Sequence, residues 1–164
     1  ADLAFIFGCD LIIEPLLSLL PIYKINLHLG LSPWYRGSAT LFWPFYFLEP
    51  QFAGITLHNI SNLADAGEIF HQSTPSLNMG DGIHEVAAKA VLKAQNEVVE
   101  MIKIYEEKAK LNLIMQTSPG RIWRERDFKI YHLRLIYNSY NNQIVDEYLK
   151  GNLGNHSPNL VNGF

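Results

Sequence analysis

The sequence predicts an α/β fold, and two stretches carry that prediction. The short apolar run at Leu3–Gly8 ends in glycine, a pattern typical of a strand buried on both faces of a parallel sheet. From Asp81 to Tyr105 apolar residues recur at helical spacing, with Lys and Glu on the opposite face. This pattern predicts a long amphipathic helix capped by Asp81. Strand and helix patterns that follow one another along one chain are typical of α/β domains.

A short helix and three further strands are predicted around these two elements. Ile13–Leu20 predicts a helix that the following proline ends. Tyr23–His28 predicts the second strand, which completes a strand–helix–strand unit. Residues 54–60 alternate between apolar or β-branched and polar side chains, and residues 68–72 are also rich in strand formers. Both stretches therefore predict strands.

The remaining stretches are less regular. Residues 38–48 predict a helix kinked at Pro44, and we expect its many aromatic side chains to pack in the core rather than form an exposed patch. Residues 121–128 are expected to be irregular or weakly extended. Residues 131–149 keep apolar side chains at helical spacing and predict a last helix that stops at Gly151. The Asn- and Gly-rich end predicts a loose tail.

The composition indicates one globular unit that needs no disulfide or metal to fold. The chain has 164 residues, of which 48% are hydrophobic and 18% are charged, which suffices for a core. The single cysteine, Cys9, cannot form an internal disulfide and has apolar neighbours, so we expect a buried thiol in a reducing, cytoplasmic compartment. Acids and prolines interrupt the apolar stretch at 3–20, which therefore predicts neither a membrane span nor a signal peptide.

The charge distribution argues against a nucleic-acid partner. The formal net charge is −3, whereas nucleic-acid binding calls for clustered basic charge. The one basic cluster consists of Arg121, Arg124 and Arg126. We expect a solvated loop there in preference to a phosphate-binding site.

The candidate site starts from Asn26 and His28, which lie two apart at a predicted strand end. Residues at that spacing in a strand point to the same face, next to a loop of the kind where α/β proteins place their sites. Together with Asp65 they suit acyl transfer to an amine, because a carboxylate-supported imidazole can take the amine proton while an amide donor holds the carbonyl oxygen. His58 and His71 belong to the same candidate set, and with His28 and Asp65 they leave a zinc site open as the competing chemistry.

Four motifs in this order resemble the catalytic half of the folate-dependent formyltransferases. They are Asn26-Leu27-His28, Leu-Ser-Pro-Trp-Tyr-Arg-Gly at 31–37, Gly-Ile-Thr-Leu-His at 54–58 and Asp-Ala-Gly-Glu-Ile at 65–69. This family includes methionyl-tRNA, glycinamide ribonucleotide and sugar N-formyltransferases. The resemblance covers roughly residues 1–105 and implies a Rossmann-like formyltransferase domain that lacks its N-terminal half.

The resemblance implies direct transfer of a formyl group from 10-formyltetrahydrofolate to a primary amine. Asn26 would orient the formyl oxygen, His28 would stabilise the tetrahedral intermediate or relay the amine proton, and Asp65 would hold the charged form of His28. The folate pocket is expected at residues 8–15 and under the loop 62–65. The residues expected to bind the donor are Ile6, Leu11, Ile13, Asn62 and Ala64.

The resemblance also divides the chain into a catalytic unit at 1–110 and a C-terminal helical extension at 111–164. The extension is similar to that of some sugar-nucleotide formyltransferases, so an amino-sugar nucleotide is the expected acceptor, with no membrane partner. Glycinamide ribonucleotide, methionyl-tRNA and a non-catalytic binding subunit are the alternatives. Because half a domain would expose a sheet edge, we expect a second copy of the chain or an upstream segment to complete the sheet.

Overall fold

A computed structural model describes all 164 residues, and its centre is a four-stranded sheet with the order β1-β2-β4-β5. The strands of the chain are β1 (Leu3–Ile6), β2 (Tyr23–His28), β3 (Arg36–Gly37), β4 (Ile55–Asn59), β5 (Ile69–Ser73) and β6 (Ile122–Trp123). β1 and β2 are parallel, whereas β2–β4 and β4–β5 are antiparallel. β3 and β6 form a separate two-stranded parallel sheet. The predicted α/β class is confirmed, with a sheet that is mixed rather than wholly parallel.

One long helix and three short ones surround the sheets. They are α1 (Leu16–Leu19), α2 (Trp43–Tyr46), α3 (Ile83–Lys108) and α4 (Ile144–Leu149). Single turns of 3₁₀-helix lie at 50–52, 125–127 and 130–132, and a π-helical turn lies at 135–139. None of the helices combines the length and the apolar character that crossing a bilayer requires.

The predicted long helix is confirmed as α3, and its apolar stripe covers the central sheet. Val86, Ala90, Ala94 and Met101 along this stripe are buried, and the last three pack with β2, β4 and β5 in one hydrophobic cluster. The prediction of Asp81 as the cap was wrong. Gly82 is the N-cap residue, and Asp81 instead accepts hydrogen bonds from Lys89, eight residues further along the chain.

A second hydrophobic cluster joins the aromatic stretch to the C-terminal segment. Trp43 and Phe45 are 2% and 1% exposed and pack with Trp123, Ile136 and Ile144. Burial of each such side chain contributes about 1.5–3 kcal/mol. The expectation that the aromatic stretch packs in the core is thus confirmed, although Phe47 at its end stays 40% exposed.

Two predicted helices are shorter than expected because left-handed residues interrupt them. Over residues 38–48 only Trp43–Tyr46 is α-helical, and Ala39 has φ 56°. Over residues 131–149 the continuous helix was wrong, since Asn141 and Asn142 have φ of 49° and 58°. Asparagine adopts this backbone region more readily than most residues, so helical spacing alone did not show the break.

Both ends of the chain also differ from expectation. β1 is an edge strand that pairs only with β2, so Phe5 is 41% exposed rather than buried. Cys9, predicted to be buried, is exposed. The tail is held rather than loose: the Gln72 N–H donates to the Val161 carbonyl oxygen at 2.8 Å, and the Phe164 ring lies 4.2 Å from the His71 ring.

Candidate active site

A cavity of about 540 Å³ opens beyond the C-terminal ends of β1 and β2. Its walls come from residues 6–12, 26–29 and 37–41 and from the stretch between His58 and Asp65. The volume lies within the range of pockets that hold small molecules. The parallel pair β1–β2 therefore ends at the cavity, which is where α/β sheets carry their ligands.

Most of the predicted site residues line this cavity. Those that do are Asn26, His28, Asp65, Ile6, Leu11 and Ala64. Two predicted donor-binding residues are not part of the lining: Ile13 is 63% exposed, and Asn62 is an exposed loop residue. His71 is also elsewhere, on β5, where its Nε2 lies 3.4 Å from Glu97 of α3.

The alternation of β2 places the amide and the imidazole at the cavity. Ile25 and Leu27 are 0% and 8% exposed and pack against α3 in the core, so the intervening polar side chains lie on the other face. Asn26 pairs with His58 across the antiparallel β2–β4 ladder. The register thereby brings a third polar side chain to the same wall.

Asp65 is fixed by hydrogen bonds from three separate segments. The Gly37 N–H donates to its Oδ2 at 2.7 Å. The Ser32 hydroxyl and the Gln116 amide donate to its backbone carbonyl oxygen at 3.0 and 2.9 Å. The residue has φ 49°, a left-handed conformation that such contacts stabilise. The carboxylate therefore has a defined position relative to both histidines.

Arg36 supports the same loop through backbone oxygens. Its Nε and Nη2 donate to the Ala64 carbonyl oxygen at 2.9 and 2.6 Å, and its Nη1 donates to the Pro119 carbonyl oxygen. The residue is 7% exposed and has no carboxylate partner among the ion pairs of the chain. All the hydrogen bonds of this buried cation go to backbone carbonyl oxygens, which compensates the cost of burying it and fixes the position of the loop.

The two ring nitrogens of His28 face different acceptors. Nε2 lies 2.8 Å from the Tyr35 carbonyl oxygen, which can only accept, so this nitrogen carries a proton. Nδ1 lies 3.4 Å from Asp65 Oδ1. Burial lowers the pKa of His28 below its usual 6.5, although the Asp65 charge and the Tyr35 carbonyl act in the opposite direction. The resting ring is neutral, and Nδ1 is free to take up a proton next to a carboxylate.

His58 connects the amide to the carboxylate. Its Nδ1 donates to the Asn59 carbonyl oxygen at 2.9 Å, so Nε2 is the nitrogen that faces the site. Nε2 lies 3.2 Å from Asn26 Nδ2 and 3.3 Å from Asp65 Oδ1. This one ring nitrogen is thus close to both the amide and the carboxylate.

Asp65 is the anionic member of the group. Burial by itself would raise its pKa, but the hydrogen bond from His58, the positive charge of His28 when protonated and the Gly37 N–H together lower the pKa below its usual value. The carboxylate is therefore ionised at neutral pH. One wall of the cavity thus carries a proton acceptor, an anion that stabilises its protonated form and an amide donor. These are the groups needed to add an amine to a carbonyl group.

Sequence reasoning assigned no role to Arg36 and Gln116, and it named His58 without including it in the central group. Arg36 lies inside a quoted motif, but its partners are carbonyl oxygens at positions 64 and 119. Gln116 carried no sequence signal, since its two acceptors are likewise backbone oxygens, those of Asp65 and Gly67. Every residue has a backbone carbonyl oxygen, so hydrogen bonds to these oxygens do not require particular residue types and cannot be recognised in the sequence.

Solved structures with the same fold include several formyltransferases. The formyltransferase PseJ from Anoxybacillus kamchatkensis superposes with a TM-score of 0.72 at 24% identity, over 87% of this chain and 74% of its own. A 4-N formyltransferase from Francisella tularensis gives 0.66 at 24% identity over 77% of this chain. Glycinamide ribonucleotide transformylase 1 from Symbiobacterium toebii gives 0.61 at 22% identity over 70% of this chain.

The fold is therefore that of the folate-dependent formyltransferases, as the sequence motifs predicted. The chain spans 51% of the Francisella enzyme and 56% of the Symbiobacterium enzyme, so it corresponds to part of their length. No family model matches the sequence.

Proposed function

We propose that this chain transfers a formyl group from 10-formyltetrahydrofolate to a primary amine on an amino-sugar nucleotide. The observation that carries the proposal is the convergence of Asn26, His28 and Asp65 on one wall of the cavity. The structural likeness to PseJ supports it, since that enzyme was solved with UDP-4,6-dideoxy-4-formamido-L-AltNAc and tetrahydrofolate.

The cavity suits a folate as the donor substrate. Apolar side chains of Ile6, Leu11 and Leu63 line it. The main chain around Gly8 lines it too, and a Cβ atom placed on this glycine would have no other atom within 4 Å. A flat heterocycle with amide-like edges fits such a mixture of apolar side chains and accessible backbone groups. Ile6, Leu11 and Ala64 are the residues that would hold the donor.

Asn26 and His28 have different roles in the proposed transfer. The amine nitrogen attacks the formyl carbon, and the bond from that carbon to N10 of the folate breaks. One N–H of Asn26 points to His58, and its other N–H is the donor for the formyl oxygen as negative charge develops. His28 Nδ1 takes the proton that the amine loses, and this proton is finally delivered to N10.

Asp65 supports this step by electrostatics. Its Oδ1 lies 3.4 Å from His28 Nδ1, so the imidazolium that forms during the transfer is stabilised by a charge already in place. Proton transfer by a positioned side chain of this kind contributes about 10²–10⁴-fold in rate.

The proposal is tested in two stages. Titration with 5-formyltetrahydrofolate, which does not donate, measures donor binding. Incubation with 10-formyltetrahydrofolate and a panel of amines, followed by mass spectrometry, identifies a formylated product. The panel contains UDP- and dTDP-linked amino sugars and glycinamide ribonucleotide. We expect folate binding and formylation of an amino-sugar nucleotide.

The matched variants are His28→Ala and His84→Ala, the latter at an exposed histidine that contacts Tyr137. His28→Ala should lose about 10²-fold or more in turnover while retaining folate binding, and His84→Ala should retain both. Unchanged turnover in His28→Ala refutes the assigned role. Folate binding without transfer to any amine supports a non-catalytic binding subunit instead.

A further inference from the structure

A second cavity, of about 510 Å³, lies between α2 and the segment 121–132. The proposed formyl transfer does not use it. Its lining combines aromatic residues such as Trp43 and Trp123 with the basic residues Arg121, Arg126 and Lys129. Both arginines belong to the basic cluster that was expected to form a solvated loop.

The floor of this cavity is a stack of aromatic rings. The rings of Trp43 and Trp123 lie 4.2 Å apart and are tilted by only 18°. The Arg121 guanidinium lies 3.6 Å above the Trp123 ring, a cation–π contact. At the edge, Phe47 and Tyr131 are 40% and 57% exposed, and the Arg121 guanidinium also lies 5.8 Å from the centre of the Phe47 ring.

The charge around the cavity is positive, since three basic side chains and one carboxylate line it. Arg121, Arg126 and Lys129 take part in none of the ion pairs of the chain. The one acid in the lining, Asp127, accepts the backbone N–H of Arg124 at 2.8 Å.

We propose that the second cavity binds a nucleoside phosphate. The base stacks against Phe47 and Tyr131, and Arg126 and Lys129 bind the phosphates, with Arg121 bridging the two parts. Exposed aromatic rings next to unpaired cations match the two halves of such a ligand, a flat base and a polyanion. The proposal does not rest on the proposed formyl transfer, since it concerns different residues and needs neither folate nor amine.

The test is a titration of the full chain with UDP, monitored by calorimetry and by tryptophan fluorescence, to which Trp34 contributes along with Trp43 and Trp123 of the cavity. Uridine and inorganic pyrophosphate serve as probes of the separate halves. We expect UDP to bind more tightly than either. The double variant Arg126→Ala/Lys129→Ala should weaken UDP binding by about tenfold or more, whereas Arg134→Ala, at an exposed arginine outside the cavity, should leave it unchanged.

Other outcomes overturn the proposal. Equal affinity for pyrophosphate and UDP means a simple anion patch, and tight binding of a single-stranded oligonucleotide that UDP does not displace means a nucleic-acid surface. UDP affinity that falls in Asn26→Ala but not in the double variant assigns the nucleotide to the first cavity. Because Arg126 and Lys129 are exposed, the double variant should fold, which far-ultraviolet circular dichroism checks.

Discussion

Replacing Arg36 by methionine tests whether the clamp on the Asp65 loop is structural, functional or both. Methionine keeps most of the side-chain volume but removes all donors, so the carbonyl oxygens of Ala64 and Pro119 lose their partner. Both oxygens belong to loops that meet at this one guanidinium. The substitution should therefore loosen the loop that carries the carboxylate without emptying the core.

The magnitude follows from the two orphaned acceptors. A buried acceptor left without a partner costs about 1–3 kcal/mol, so two of them cost about 2–6 kcal/mol in the free energy of unfolding. Removal of a guanidinium that is itself buried, at 7% exposure, recovers part of this cost. We therefore expect a loss near the lower end, about 2–3 kcal/mol. Arg36→Lys, which retains the charge but can reach fewer acceptors, should lose less.

Urea unfolding followed by circular dichroism measures the loss, with an unchanged slope as the sign that only stability has changed. Arg134→Met is the matched control, because Arg134 is exposed and should shift stability by about 0.5 kcal/mol at most. Formyl transfer should fall by about 10²-fold in Arg36→Met, since a displacement of about 1 Å at a reacting group has that effect. The clamp hypothesis fails if Arg36→Met and Arg134→Met unfold at the same urea concentration.

Three further predictions concern the same wall. Asp65→Asn should reduce turnover by about 10²-fold or more and leave the affinity for folate, measured by calorimetry, unchanged. A comparable loss of turnover and of folate affinity would contradict the electrostatic role. Because the folded-state pKa of His28 lies below 6.5, the unfolded chain binds its proton first as the pH falls. Stability should thus decline from about pH 6.5 downward, and His28→Asn should flatten this decline in urea midpoints between about pH 5 and 8. Gly37→Ala should destabilise by several kcal/mol (about 2–4), since an added Cβ would lie 2.1 Å from the Trp123 carbonyl oxygen at φ 93°; a midpoint equal to that of the unmodified chain would contradict it.

The sequence predicted local patterns well where one physical signal dominated. β2 was predicted with its observed bounds, because alternation and flanking turn residues agree there. α3 was predicted because an apolar stripe follows most of this 26-residue helix. The same β2 alternation predicted that Asn26 and His28 share a face, and both residues line the cavity.

Other features depend on contacts between distant residues, which no local pattern carries. The break at Asn141 follows from a backbone conformation that Asn142 shares, and Asn142 accepts the Ile83 N–H of α3 at 3.1 Å. The C-terminal tail is ordered by its bonds to Gln72 of β5. Arg36 was visible as a residue type, but its partners became known only from the fold.

The two walls of the first cavity differ in how firmly they are held. Residues 7–11 are exposed although they form one wall of the cavity. Segments with few buried contacts open with the smallest free energies and exchange their amide hydrogens fastest. A molecule bound against this wall would slow the amide exchange of residues 7–11, and part of its intrinsic affinity would be consumed in ordering this stretch. The opposite wall, made by β2 and the clamped Asp65 loop, is ordered before any ligand arrives.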